Sequence, residues 1–364
     1  MNNNNNNIIN NNNNNNNNDD DDNKKKSFKN FALVPIMIVV WYSTAIVSIT
    51  SSKKIMNIIK LPFMLCTSQF LLAYLITSLI TPSASASTST STPTSSSSLL
   101  SSLSSYISKY TNHNITSSSS KPLSKNAYNI IYRIAILYTL GFIFTNISFS
   151  IVTASFAETV KSAEPFSTTF LGYFLYKENT SILTYISLIP IVTGVSISCI
   201  DDLSFNIYGF LSASISNFCF SGRAVLTKHL YRKYPNCIDE ITMFSIISKI
   251  GLILLIPLMI LLESNSIISL FYEKSSNIIE ILLLLFINGI AYSTYNITSF
   301  LVLSRTNLIT HSVFNCFRRV FIILFTCYYF QVTLSLLNIT GVAIAVIGVL
   351  FFAYSKHKDN IIHK

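Results

Sequence analysis

Charge is what this chain has least of. Asp, Glu, Lys and Arg together make up 11% of its 364 residues, against about 25% in an ordinary soluble domain. With 50% hydrophobic residues and a mean hydropathy of +0.48, that deficit excludes a soluble globule and fits a chain whose solvent is largely lipid. Catalytic vocabulary is also missing. No HExxH, P-loop, GxSxG or paired-cysteine motif occurs, so the sequence argues against an enzyme and implies no catalytic residue, metal site or cofactor. The six cysteines (Cys66, Cys199, Cys219, Cys237, Cys316 and Cys327) show no paired spacing and mostly lie in apolar runs. They read as small packing residues rather than a disulfide framework. The formal charge of +10 would suggest nucleic acid in a soluble protein. Here the positive charges sit mostly in loops and at helix ends, so membrane orientation explains them and no nucleic-acid partner is expected.

What is present is a succession of apolar windows about 20 residues long. A low-complexity tail from Met1 to Asn30, rich in Asn and then Asp and Lys, has no means to build a core and is expected to be a disordered cytosolic tail. It carries neither the apolar centre of a signal peptide nor the composition of a transit peptide. The body that carries the spans is expected at 31–356, and 357–364 is expected as a second cytosolic tail. Spans are expected near Phe31–Thr50, Ile55–Leu79, Tyr128–Phe149, Ile151–Tyr176, Ile182–Ile200, Ile207–His229, Ile241–Leu262, Ile278–Leu303, Thr310–Tyr329 and Leu334–Tyr354. Each reads as a helix, because an open strand edge cannot face lipid. A Ser/Thr-rich insertion at 81–125 separates the second from the third, and holds the Asn114-Ile115-Thr116 sequon. Lysines and arginines collect on the side of both termini and of this insertion, while Lys53, Lys54, Lys60 and Lys274 lie opposite. Both termini are therefore expected in the cytosol, with the sequon unmodified.

Ionisable residues inside such spans are expensive, roughly 2.5–3.5 kcal/mol each on insertion scales. Arg318 and Arg319 stand together in Thr310-His311-Ser312-Val313-Phe314-Asn315-Cys316-Phe317-Arg318-Arg319-Val320, followed by an apolar, aromatic run to Phe330. They need a water-filled cavity, an anionic partner, or both. A guanidinium matches a phosphate bidentately; the competing role is a snorkelling or carboxylate-paired arginine. Lys161 poses the same problem between Glu158 and Glu164, where an intrahelical ion pair is the competing role and Pro165 should open polar backbone at a cavity. Arg223 and Lys249 read equally well as gate or helix-end residues. Tyr295-Asn296 and Thr145-Asn146, taken alone, are interhelical hydrogen-bonding pairs, Trp41-Tyr42 reads as packing, and His311 as a satisfied polar group. A faint repeat is visible. Ser155 precedes Lys161 by six positions and Ser312 precedes Arg318 by six, while the following spans carry Gly194-Val195 and Gly341-Val342. An offset of five spans implies inverted halves with a site between them.

These stretches resemble the triose-phosphate/phosphate translocator family. Thr310 to Val320 is similar to its ninth-helix signature, Ser155-Phe156 through Glu164-Pro165 to its fourth, Trp41-Tyr42 with Lys53-Lys54 to its first, and Ser204-Phe205-Asn206 through Val225-Leu226 to its sixth. The resemblance implies an all-α membrane protein, about ten transmembrane helices in two inverted five-helix repeats (the drug/metabolite transporter fold). It implies a central phosphate grip in which Lys161 and Arg319 match family residues and Arg318 stands where plastid members have lysine. Tyr295 and Thr145 fall at a family tyrosine and threonine. Phe142 and Glu158 depart from the pattern, each standing where triose-phosphate carriers have histidine. The expected function is an antiporter exchanging a phosphorylated metabolite (triose phosphate, phosphoenolpyruvate or hexose phosphate) for inorganic phosphate across an internal membrane, the Golgi or endoplasmic reticulum. A nucleotide-sugar antiporter and a non-transporting membrane scaffold are the alternatives.

Overall fold

In the computed structural model the described residues are 34–80, 124–177, 180–200, 202, 205–235, 238–273, 278–303, 308–333 and 335–362. The Asn-rich tail, the bulk of the Ser/Thr-rich insertion and the Asn114 sequon lie outside them. Among the described residues the chain forms eleven helices and no strand. They are α1 (Val34–Ile59), then α2 (Pro62–Ile80), α3 (Lys125–Ile151), α4 (Ala154–Lys161), α5 (Glu164–Tyr176) and α6 (Ile182–Ile200). The second half holds α7 (Ile207–Lys233), α8 (Glu240–Glu273), α9 (Ile278–Leu303), α10 (Leu308–Tyr329) and α11 (Leu336–Ile362). Helices α4 and α5 are the two pieces of the fourth expected span, so the eleven helices make ten spans.

Seven of these helices are long and apolar enough to cross a membrane by composition alone. The others are α4 and α5, which are halves of one span, and α7 and α10, whose hydropathy is lowered by the polar residues they turn inward. Residues that line an internal cavity escape the lipid and its penalty, which is why a hydropathy window undercounts them.

The inverted repeat expected from the sequence is visible in the packing. The second, fourth and fifth spans of the first half pack on the seventh, ninth and tenth: α2 on α8, α4 on α10, α6 on α11. The third span packs on the sixth, through Thr145 Oγ1 to Ser216 Oγ at 2.8 Å and Ser148 Oγ donating to the Gly209 carbonyl at 3.0 Å. Its mirror image, the first span on the eighth, is made by Asn288, whose amide donates to the Ser48 carbonyl, Ser51 and Ser52 at 2.8, 2.8 and 2.9 Å. Gly194 and Gly341, paired in sequence by the repeat, face each other where α6 crosses α11. A Cβ on Gly194 would lie 2.4 Å from the Ala345 nitrogen, and one on Gly341 2.6 Å from the Gly194 carbonyl oxygen. Small residues are what allow helix backbones this close in a membrane.

Several boundaries differ from expectation. Ser124 caps α3 by accepting the Ala127 N–H at 3.2 Å, so Lys125 opens a helix instead of ending the insertion. Helix α8 has 34 residues, about 51 Å at 1.5 Å per residue, and outruns a hydrocarbon core of about 30 Å. The expected C-terminal tail is helical to Ile362. It is held because Asp359 accepts from Ser181 N–H at 3.1 Å and Thr184 Oγ1 at 2.9 Å, satisfying the N-terminal turn of α6.

Candidate functional site

The fourth span breaks where Pro165 predicted. Helix α4 ends at Lys161 and α5 starts at Glu164, with Pro165 in its first turn. Proline removes an N–H and restricts its predecessor, so one helix stops and another starts here. Side chains of α7 fasten both sides of the break: Asn217 Nδ2 donates to the Val160 carbonyl at 2.9 Å, which also accepts the Ala163 N–H at 3.2 Å, and Ser221 Oγ donates to the Glu164 carbonyl at 3.4 Å. The break thus places the end of α4, with Lys161, at the space between the halves.

That space is a cavity of about 160 Å³ into which Lys161, Arg318, Arg319, Tyr295 and Thr145 all project. Every substrate-contact residue proposed from sequence lies in this one wall. By volume the cavity has room for on the order of ten waters. Its charges are unevenly partnered. Glu158 Oε1 lies 3.4 Å from Lys161 Nζ and its Oε2 3.5 Å from Arg319 Nη1. Glu164 accepts directly from Arg319 Nη2. The intrahelical pair of Lys161 with Glu158 therefore forms, while Glu164, beyond the helix break, turns to the ninth span instead. Arg318 is held differently. Its Nε and Nη2 donate to Asn315 Oδ1 at 3.1 and 2.8 Å, and its guanidinium lies 5.7 and 5.8 Å from the rings of Trp41 and Tyr295. Stacked cations of this kind keep their outer N–H groups available for an anion.

Thr145 is less exposed to the cavity chemistry than expected. Its hydroxyl donates to the Gly141 carbonyl at 2.8 Å and meets Ser216, so it contributes to the α3–α7 contact as well as to the wall. Phe142 packs edge-on against Tyr138, Phe220 and Tyr292, with centroids 4.9, 5.0 and 4.9 Å away. This aromatic floor lies under Lys161, whose Nζ is 5.6 Å from both the Phe149 and Phe220 rings.

Sequence reasoning undervalued four residues. Trp41, read as packing, is 1% exposed, stacks on the His311 ring at 5.0 Å and has the Arg318 guanidinium 5.7 Å from its ring. His311, read as a satisfied polar group, meets Ser299 Oγ at 3.3 Å and also lines the cavity. Arg223, left between gate and helix end, sits in the same wall over the Tyr138 ring. Asn315 was quoted only as part of a motif; its place three residues before Arg318 puts it on the same helix face. Lys249, weighed with Arg223, is exposed on α8 and outside the cavity.

A second, largely apolar cavity of about 600 Å³ shares Glu164, Arg223, His311, Asn315 and Arg319 with the first. It runs past Val342 and Phe352 to Lys228, Tyr231, Glu240 and Lys356, at the helix ends that belong to the Lys/Arg-rich side. On the opposite side the helix ends are tied together. Lys53 Nζ donates to the Phe149 and Val152 carbonyls at the end of α3, both at 2.7 Å. Glu263 accepts the Phe63 and Met64 N–H groups at the start of α2, at 3.0 and 2.7 Å. A cation on a helix C-terminus and a carboxylate on an N-terminus both complement the helix dipole. The wider cavity therefore lies toward the helix ends of one side, and the ties made by Lys53 and Glu263 join the helix ends of the other.

Comparison with known proteins fits this geometry. Residues 32–355 match the model of the Triose-phosphate Transporter family. The chain is 38% identical to phosphoenolpyruvate/phosphate translocator 3, chloroplastic, of Oryza sativa subsp. japonica, over 61% of this chain and 56% of that one. It is 34% identical to phosphoenolpyruvate/phosphate translocator 2, chloroplastic, of Arabidopsis thaliana, over 64% and 62%. It is 35% identical to a triose phosphate/phosphate translocator, non-green plastid, chloroplastic, of Brassica oleracea var. botrytis, over 63% and 56%. The chain thus matches between 56% and 62% of these relatives' length. Their names place them in plastids and lend no support to a Golgi or endoplasmic reticulum membrane, nor to nucleotide sugars. With its family match running from the first span to the last, this multi-pass membrane protein belongs to the Triose-phosphate Transporter family.

Proposed function

We propose that the chain is an antiporter that exchanges a phosphorylated metabolite for inorganic phosphate by alternating access. The observation that carries this reading is the convergence of Lys161 from the fourth span with Arg318 and Arg319 from the ninth on one small cavity between inverted halves. Phosphate is the anion that suits them: Arg318 and Arg319 offer planar forks, Lys161 a point charge, and the surrounding rings keep water scarce. Tyr295 adds a hydroxyl and Thr145 part of the wall. The names of the relatives support the same substrate class.

In the alternating-access cycle the substrate enters through the wide apolar vestibule on the Lys/Arg-rich side. Phosphate bridges the fourth and ninth spans, which belong to opposite halves, so its binding draws the halves together there. Rocking about the α6–α11 contact then closes the vestibule and strains the Lys53 and Glu263 ties on the far side. Differential affinity for the two arrangements is what couples binding to movement. Triose phosphate, phosphoenolpyruvate and hexose phosphate are the candidate substrates.

Liposomes holding the purified chain and loaded with inorganic phosphate test the reading. Uptake of a labelled phosphate ester that depends on internal phosphate is the expected result. Uptake of a nucleotide sugar driven by internal nucleoside monophosphate, with none of the small esters moved, overturns it. The Golgi or endoplasmic reticulum location is a separate proposal, checked by imaging a tagged chain against markers for those membranes and for plastids.

A further inference from the structure

The charges around the central cavity do not cancel. Lys161, Arg223, Arg318 and Arg319 face Glu158 and Glu164, so four cations meet two carboxylates and two positive charges remain. Glu158 is 2% exposed and divides its oxygens between Lys161 and Arg319, at 3.4 and 3.5 Å. The remaining positive charge therefore lies on the other two cations. Arg318 is held by neutral groups, Asn315 Oδ1 and the rings of Trp41 and Tyr295. Arg223 lies over Tyr138, and its buried Nε has no hydrogen-bond partner among the described residues. Tyr295, Tyr138, Tyr292 and His311 complete the titratable groups of this wall.

A buried carboxylate on the two cations closest to the helix break is an anion already resident in an anion site. It limits how much further negative charge the site can take. A phosphate monoester carries about −1.5 to −2 near pH 7, which balances the two leftover positive charges. A monoester that also bears a carboxylate exceeds them by a further unit, in a water-poor space shared with Glu158. Two like charges roughly 6 Å apart at an effective dielectric of about 20 shift a binding equilibrium on the order of a hundredfold.

We propose that Glu158 sets the charge of the accepted substrate, favouring phosphate monoesters whose phosphate is their sole anionic group over those that also carry a carboxylate. The proposal rests on the exchange reading and sharpens it. Inorganic phosphate, itself no more than doubly charged near neutral pH, remains a matching counter-substrate. Asn and Gln are the neutral isosteres of the acidic side chains, so Glu158→Gln removes the charge and keeps the shape and an acceptor for Lys161.

The experiment uses the full chain in liposomes loaded with inorganic phosphate at neutral pH. It compares initial uptake of labelled dihydroxyacetone phosphate and labelled phosphoenolpyruvate by the wild type, Glu158→Gln and Glu158→Asp. The wild type is expected to prefer the triose phosphate. Glu158→Gln is expected to raise the ratio of phosphoenolpyruvate to triose phosphate uptake by about tenfold or more, while Glu158→Asp, with its charge kept, holds the ratio near the wild-type value. An unchanged ratio in Glu158→Gln protein that still exchanges phosphate for phosphate overturns the proposal, and assigns Glu158 to the ion pair alone. Should Glu158→Gln fail to fold, the wild type decides: equal or greater uptake of phosphoenolpyruvate overturns the proposal. Phosphate–phosphate exchange by the wild type is the control for the underlying reading. Its absence removes that reading and the proposal with it, and is distinguishable from an intact exchanger with no charge preference.

Discussion

The two halves of this molecule share a plan and differ at the place where they meet. Each half gives its fourth element a cation, Lys161 on one side and Arg318 on the other, and each gives its fifth a glycine, Gly194 or Gly341. The fourth span is broken by Pro165 while the ninth, α10, is continuous. The broken span also brings two carboxylates, Glu158 and Glu164, and the continuous one brings none to the cavity. One half therefore arrives with its cation neutralised, and the other with a surplus. The difference teaches that the site is assembled from a first-half wall with one lysine and two carboxylates, and a guanidinium wall that meets both carboxylates through Arg319 and holds Arg318 on neutral groups.

Arg319 ties the two walls together, so its loss should have the largest effect. Arg319→Ala removes a partner from both Glu158 and Glu164, and breaking a buried pair costs about 3–5 kcal/mol. Exchange should be abolished and the melting temperature in detergent should fall as well. A variant that melts normally would show the two halves to be joined by other contacts. Arg318→Ala takes away the unneutralised charge without stranding a carboxylate. Transport should fall by about a hundredfold or more, as for a lost charge-assisted contact of roughly 3 kcal/mol, with thermal stability close to that of the parent chain. Near-normal exchange by this variant would remove the site from the ninth span.

The glycines sharpen the symmetry itself. A methyl group at Gly194 or Gly341 would meet backbone atoms of the opposite helix within 2.6 Å, and backbone cannot rotate away. Both alanine variants should lose stability by similar amounts, about 1–3 kcal/mol as for overpacking. At Gly222 the obstacle is the movable Leu137 side chain at 3.0 Å, and alanine there should cost less. Melting curves of the three variants side by side check this; a large difference between Gly194→Ala and Gly341→Ala would break the equivalence of the halves at their crossing.

Much of this was legible in the chain. Apolar windows of bilayer length can only be helices, because lipid offers the backbone no hydrogen-bond partner. Lys161, Arg318 and Arg319 stand out because charge at membrane depth needs a reason, and Pro165 marks the break because a proline cannot complete a helical turn. The glycine pair and the six-residue serine-to-cation spacing announced the repeat. Other features had no such signal. Trp41 and His311 are unremarkable in an apolar run until α10 folds back over α1, and Arg223 could belong to any helix end. Nothing in the sequence says which carboxylate goes to which cation. The composition and periodicity of the chain determined the lipid environment, the helices and the residues too costly to bury without purpose, since these follow from local transfer energies. Tertiary structure alone decided that Glu158 serves Lys161 and Arg319 together, that Glu164 crosses to the other half and that Arg318 rests on Asn315 and the rings of Trp41 and Tyr295. Those assignments depend on distances between residues more than 150 positions apart, which only the packing of the two halves fixes.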